Sequence, residues 1–140
     1  SGSDTSSPLD DLTAVGNTLY FEAYDTTNGD ELWKSDGTAS GTVMVKDIYS
    51  GSSSSYPGAL TAVGNILYFV ANDGTNGYEL WKSDGTGSGT VMAKDIRSGS
   101  GGGDVYHLTP VGDNLFFRAY DGLSGYELYG SVTVSTISFS

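Results

Sequence analysis

The residues of this chain that could do chemistry are acidic and aromatic, and they come in copies. Asp25-Thr26-Thr27-Asn28-Gly29-Asp30-Glu31 recurs as Asp73-Gly74-Thr75-Asn76-Gly77-Tyr78-Glu79 and as Asp121-Gly122-Leu123-Ser124-Gly125-Tyr126-Glu127. Hard carboxylate and amide oxygens on a tight glycine turn are what calcium takes. The spacing fits no EF-hand loop, however, and only two carboxylates recur in every copy. The competing reading is an Asx-type turn, in which Asp and Asn bond nearby backbone amides and glycine takes positive φ. The turn is preferred, and no metal or cofactor is expected. Asp36-Gly37-Thr38 and Asp84-Gly85-Thr86 pose the same choice and read first as turns. Trp33, Trp81 and Tyr129 hold equivalent places close by. They could stack the face of a carbohydrate ligand beside acidic hydrogen-bond acceptors, or they could simply fill a core.

Catalytic groups are sparse. His107 is the single histidine, and it follows Tyr106 in a β-prone stretch, where a strand-edge residue is the plainer reading. No Gly-x-Ser-x-Gly elbow occurs. Paired carboxylates such as Asp10-Asp11 lack a surrounding apolar sequence that would raise one pKa. The expectation is that the chain is not an enzyme.

What must position these residues is a repeat of 48 residues. Leu12-Thr13-Ala14-Val15-Gly16-Asn17 returns as Leu60-Thr61-Ala62-Val63-Gly64-Asn65 and as Leu108-Thr109-Pro110-Val111-Gly112-Asp113. Such a period marks tandem supersecondary units. The units are repeat one, 12–59, repeat two, 60–107, and a divergent terminal repeat three, 108–140, within a single domain spanning 1–140. Each reads as four strands. The first, Leu12 to Val15, turns back through Gly16-Asn17, a hairpin signal. The second, Asn17 to Tyr24, alternates with Leu19, Phe21 and Ala23 on one face; Leu67, Phe69, Ala71 and Leu115, Phe117, Ala119 repeat that face without change. Period-two alternation makes this face the predicted core. Glu31 to Ser35 is the third strand. Thr42 to Ile48 is the fourth, and its apolar Val43, Met44 and Val45 predict a covered strand. No helical periodicity appears. The predicted fold class is all-β, with tandem antiparallel four-stranded blade-like repeats, in a propeller-like ring or an open array. A threefold β-trefoil or β-prism also fits the strand count.

Composition narrows the partners. The net charge is −11 in 140 residues, with six Lys and Arg against 17 Asp and Glu. That surface repels phosphate backbones, so no nucleic acid is expected. No apolar run reaches membrane-spanning length, so no membrane span is expected. There is no cysteine, hence no disulfide or thiol chemistry. Ser1-Gly2-Ser3 is similar to the connectors at Ser50-Gly51-Ser52 and Ser98-Gly99-Ser100, which suggests a piece of a longer or processed precursor. Serine and threonine in those connectors could carry O-linked carbohydrate, while no Asn-x-Ser/Thr sequon occurs.

Glu31-Leu32-Trp33-Lys34-Ser35-Asp36-Gly37-Thr38 and its copy Glu79-Leu80-Trp81-Lys82-Ser83-Asp84-Gly85-Thr86 resemble the ELWxxDGT repeat family. The following Gly41-Thr42-Val43-Met44-Val45-Lys46-Asp47-Ile48 resembles it too, so the likeness covers nearly the whole chain. The resemblance implies a secreted or cell-surface bacterial repeat protein without enzymatic activity. The third copy departs from the pattern: Tyr129 stands in place of Trp, and Gly130-Ser131-Val132 replaces the turn.

After Glu127 no charged residue occurs. The tail from Ser131 to Ser140 is β-prone and free of Pro and Gly, with Val132 and Val134 in one phase and Ile137 and Phe139 in the other. These four are the candidate subunit contacts. The tail either ends the chain's own sheet or is donated to the edge of a neighbouring subunit. The resulting expectation is a non-catalytic extracellular structural or adhesive protein that assembles into a homo-oligomer or fibre through strand edges. The alternative is a lectin-like or calcium-dependent binding module using Trp33, Trp81 and Tyr129.

Overall fold

The computed structural model describes residues 12–97, 99–123 and 125–130, and the backbone of 135 and 136. Among them there is no helix. Twelve strands form three four-stranded sheets, each an antiparallel meander in chain order. Sheet 1 contains β1 (Thr13–Val15), β2 (Thr18–Asp25), β3 (Gly29–Ser35) and β4 (Thr42–Lys46). Sheet 2 contains β5 (Gly58–Val63), β6 (Ile66–Asn72), β7 (Tyr78–Ser83) and β8 (Val91–Lys94). Sheet 3 contains β9 (Tyr106–Val111), β10 (Asn114–Tyr120), β11 (Tyr126–Gly130) and β12 (Ser135–Thr136). One sheet per repeat follows, but β5 and β9 begin at Gly58 and Tyr106. The structural units thus start two residues ahead of the boundaries drawn at 60 and 108.

The turns explain the meander. Gly16, Gly64 and Gly112 adopt φ near +60° at the three tight β-hairpins, a conformation that costs other residues about 1–2 kcal/mol. Beyond the hairpin, β2 and β3 pair from Leu19↔Ser35 to Asp25↔Gly29, and β6 and β7 repeat the register from Leu67↔Ser83 to Asn72↔Tyr78. A register shift follows between Leu32 and Trp33 and again between Leu80 and Trp81, where the fourth strand bulges.

The sheets stack through alternate faces, closest at their first strands: β1 and β2 approach β5, and β5 approaches β9. The core therefore has two layers. One joins Val15, Tyr20, Leu32 and Val45 of sheet 1, with Ile48 of the following connector, to Leu67, Phe69, Ala71 and Trp81 of sheet 2. The other joins Val63 and Leu80 of sheet 2, with Ile96 of the following connector, to Leu115, Phe117, Ala119 and Tyr129 of sheet 3. The Leu-Phe-Ala face is fully buried in the second and third copies, as the alternation predicts. In the first copy Leu19 and Ala23 are only half-buried, while Tyr20 of the opposite face is covered. The reason is position: sheet 1 is the first layer, so its second face meets sheet 2. The fourth strand differs from expectation as well. Val43 is 40% exposed, because β4 lies at the edge of its sheet and sends only Val45 inward.

Candidate functional site

The recurrent polar residues fall into three local devices. The first is the loop opening β3. Asp25 Oδ1 accepts from the N–H groups of Thr27 at 2.8 Å and Asn28 at 2.6 Å, and the Asn28 side-chain amide donates back to the same carboxylate. Asp73 repeats this with Thr75, at 2.9 Å, and Asn76, at 2.8 Å. These are Asx turns. The hydrogen bond from the Asn28 side chain holds the Asp25 carboxyl below the usual carboxylate range, with the backbone amides adding to it. At Asp73, burial pushes the other way and the bonds from Asn76 and Thr75 outweigh it. Glu31 and Glu79, the remaining carboxylates of the motif, are turned away into the interior. Among the described residues no cluster of three or more His, Asp or Glu side chains could hold a metal ion.

The second device is the Asp-Gly-Thr turn between β3 and β4. Asp36 Oδ1 accepts from the Thr38 N–H at 2.9 Å and hydroxyl at 2.7 Å, and Thr38 Oγ1 accepts from the Gly41 N–H at 2.9 Å. Asp84, Thr86 and Gly89 reproduce all three distances. Glycine at 41 and 89 is required because a Cβ there would run into the Asp36 or Asp84 carboxylate. The threonine hydroxyls hold both aspartates below the usual range. The two turns differ in surroundings. The second sits against sheet 1: Lys34 Nζ donates to the Gly85 carbonyl at 2.7 Å, and a Cβ on Gly85 would lie 2.7 Å from the Tyr20 hydroxyl. The first is open to solvent.

The third device is a carboxylate clamp. Glu31 is fully buried. Its oxygens accept from the N–H groups of Ile48 at 2.8 Å, Tyr49 at 3.2 Å and Ser55 at 3.2 Å, and from the Ser55 hydroxyl at 2.7 Å. Glu79, also fully buried, accepts from Ile96 at 2.7 Å and Arg97 at 3.3 Å. Burial pushes both carboxyls up to about 7, against the lowering effect of these bonds. The clamped connector also sews neighbouring sheets together. The Ser55 N–H donates to the Asp30 carbonyl, and the Ser55 carbonyl accepts from Asn72. Gly103 does the same between Tyr78 and Tyr120. Sequence reasoning missed this role, since glutamate normally reads as surface. The available signal was the recurrence of one glutamate in every copy ahead of an apolar pair.

The aromatic trio is split by the stacking. Trp81 lies in the first core layer against Phe69, ring centroids 6.4 Å apart, and Tyr129 in the second, stacked on Phe117 at 5.3 Å and 9°. Both are covered, so neither offers a face to a sugar. Trp33, on the outer face of sheet 1, is half-buried. Val132, Val134, Ile137 and Phe139 lie outside the described residues. The described part of the tail, β12, pairs with β11 of its own chain through Tyr129↔Thr136 and Gly130↔Ser135. His107 is exposed on β9 with φ +61°, in the left-handed region. Ala59, the equivalent residue 48 positions earlier, takes φ +55°. The position serves a strand bend, next to the register shifts of β5 and β9. A cleft of about 420 Å³ opens between Ile96, Arg97, Asp121, Gly122 and Leu123. In it the Arg97 guanidinium covers the Tyr120 ring at 5.3 Å.

Among the described residues no helix is long and apolar enough to cross a membrane. Comparison with protein-family models, curated proteins and solved structures returns no match.

Proposed function

We propose that the chain is a non-catalytic structural module of the cell exterior that acts by self-association, as an oligomer or fibre. One observation carries the reading. The polar residues repeated from copy to copy are consumed by the architecture: Asp25 and Asp73 in Asx turns, Asp36 and Asp84 in strand turns, Glu31 and Glu79 in buried clamps. The exposed pair, Asp36 and Asp84, is engaged by the Thr38 and Thr86 amides and hydroxyls that close the turns, and Glu31 and Glu79 are sealed in the interior. The extracellular setting rests on the resemblance to the ELWxxDGT repeats. Light scattering and electron microscopy of the purified native chain test the reading. Oligomers or fibres are expected. A monomer that instead binds a glycan array through Trp33 would replace it with the lectin-like alternative.

A further inference from the structure

The two ends of the sheet stack are the two halves of the interface that the molecule already makes twice. The second face of sheet 1 and the second face of sheet 2 each cover the first face of the next sheet. Equivalent residues can be followed through the three copies. Val15 is 8% exposed and Val63 7%, each beneath the following sheet, whereas Val111 is 55% exposed. Leu32 and Leu80 are fully buried, while Leu128 is half-buried. The opposite end mirrors this. Leu67 and Ala71, like Leu115 and Ala119, are sealed by the preceding sheet; Leu19 and Ala23 are half-buried and Ala14 is exposed. The Asp36-Gly37-Thr38 turn is open too, with nothing within 4 Å of a Cβ built on Gly37, where its copy is covered by Tyr20 and Lys34.

We infer that a second copy of the chain docks head to tail, the outer face of its sheet 3 lying on the outer face of sheet 1. The occupant is argued from the chain's own interior, since each end displays the residue types that the internal layers bury against one another. Sheet 3 presents Val111, Phe116 and Leu128, and sheet 1 presents Ala14, Leu19, Ala23 and Trp33, while Phe21 between them is already buried. The docking face of sheet 3 also carries Arg118, exposed and seated 4.3 Å over the Tyr126 ring. The contact is heterologous, so it closes into a ring or runs on as a filament according to the rotation between copies. Two copies would supply six sheets, within the roughly four to eight of closed propellers. This inference rests on the self-association proposed above, but it places the contact on sheet faces rather than on a donated tail strand.

The internal contact also fixes the register. Thr13 Oγ1 donates to the Leu60 carbonyl, which sets β1 beside β5, and Val15 and Ala62 pack in the same core layer. The equivalent neighbours across the copy-to-copy contact are Val111 and Ala14, both exposed. Val111→Lys and Ala14→Lys should therefore leave the far-ultraviolet circular dichroism unchanged, and each should weaken association at least about tenfold in concentration-dependent light scattering. A native chain that associates while both variants associate equally well overturns the face docking and leaves self-association standing. A native chain that stays monomeric at every concentration overturns both. Association abolished by Val134→Pro in a folded chain, with both lysine variants unaffected, assigns the contact to the tail instead and also overturns the face docking.

Discussion

Raising the pH from 4.5 to 8 should destabilise this protein through Glu31 and Glu79. In an unfolded chain a glutamate ionises near 4.5, whereas burial raises both clamps to about 7. The folded state therefore holds protons that the unfolded state has released. Stability from the protonated clamps is fully present below about 4.5 and is lost as pH climbs through about 7. At about 1.36 kcal/mol per pH unit the loss is on the order of 3 kcal/mol for each carboxyl. That is a large share of the 5–15 kcal/mol typical of whole domains. The amides aimed at each carboxylate oppose the burial effect, and the value of about 7 is what remains after they do. Urea unfolding at a series of pH values measures it, with Glu79→Gln as the control. Glutamine cannot titrate, and its amide faces the Ile96 and Arg97 donors, so the variant starts lower but loses part of the pH slope. A stability that rises from pH 4.5 to 8, or a slope unchanged in Glu79→Gln, would refute the reasoning.

Other outcomes follow from packing and backbone. Phe69→Ala, at a fully buried ring against Trp81, should cost about 3–5 kcal/mol in urea unfolding, while Leu123→Ala, 91% exposed, should stay within about 0.5 kcal/mol of the native chain. Gly64→Ala should cost about 1–2 kcal/mol, because φ is +60° but space is free. Gly77→Ala should cost more, because at φ +74° its Cβ would also meet the Gly102 backbone; equal midpoints would contradict the clamped connector. Melting curves in chelator and in millimolar calcium should coincide, since Asp25 and Asp73 already hold backbone donors; a calcium-dependent rise in midpoint would restore the metal reading.

Much of the fold was legible because its signals are local. Strand alternation, the Gly16, Gly64 and Gly112 hairpins and the Asp-Gly-Thr turns depend on neighbours in the chain, and the repeat printed them more than once. The identical Leu-Phe-Ala faces marked the covered side of sheets 2 and 3. What depends on stacking was hidden. Tyr20 is buried because sheet 2 covers its face of sheet 1, while Leu19 on the opposite face is half-open. Val43 reads as a core residue until β4 is found at an edge. Trp33 and Trp81 are the same residue in the same motif, yet one is half-open and the other sealed. The Glu31 clamp was illegible for a related reason: its donors, Ile48, Tyr49 and Ser55, lie 17 to 24 positions away in the chain.

The absence of cysteine makes one measurement of the central claim direct. Copies carrying only Ala14→Cys and copies carrying only Val111→Cys are prepared separately, mixed and oxidised gently. A disulfide forms readily only where two Cα atoms come within about 7 Å. Head-to-tail docking predicts that the mixed disulfide forms fast and in clear excess over either homodisulfide. Mixed and homodisulfides in random proportion, or no crosslink at all, would contradict it.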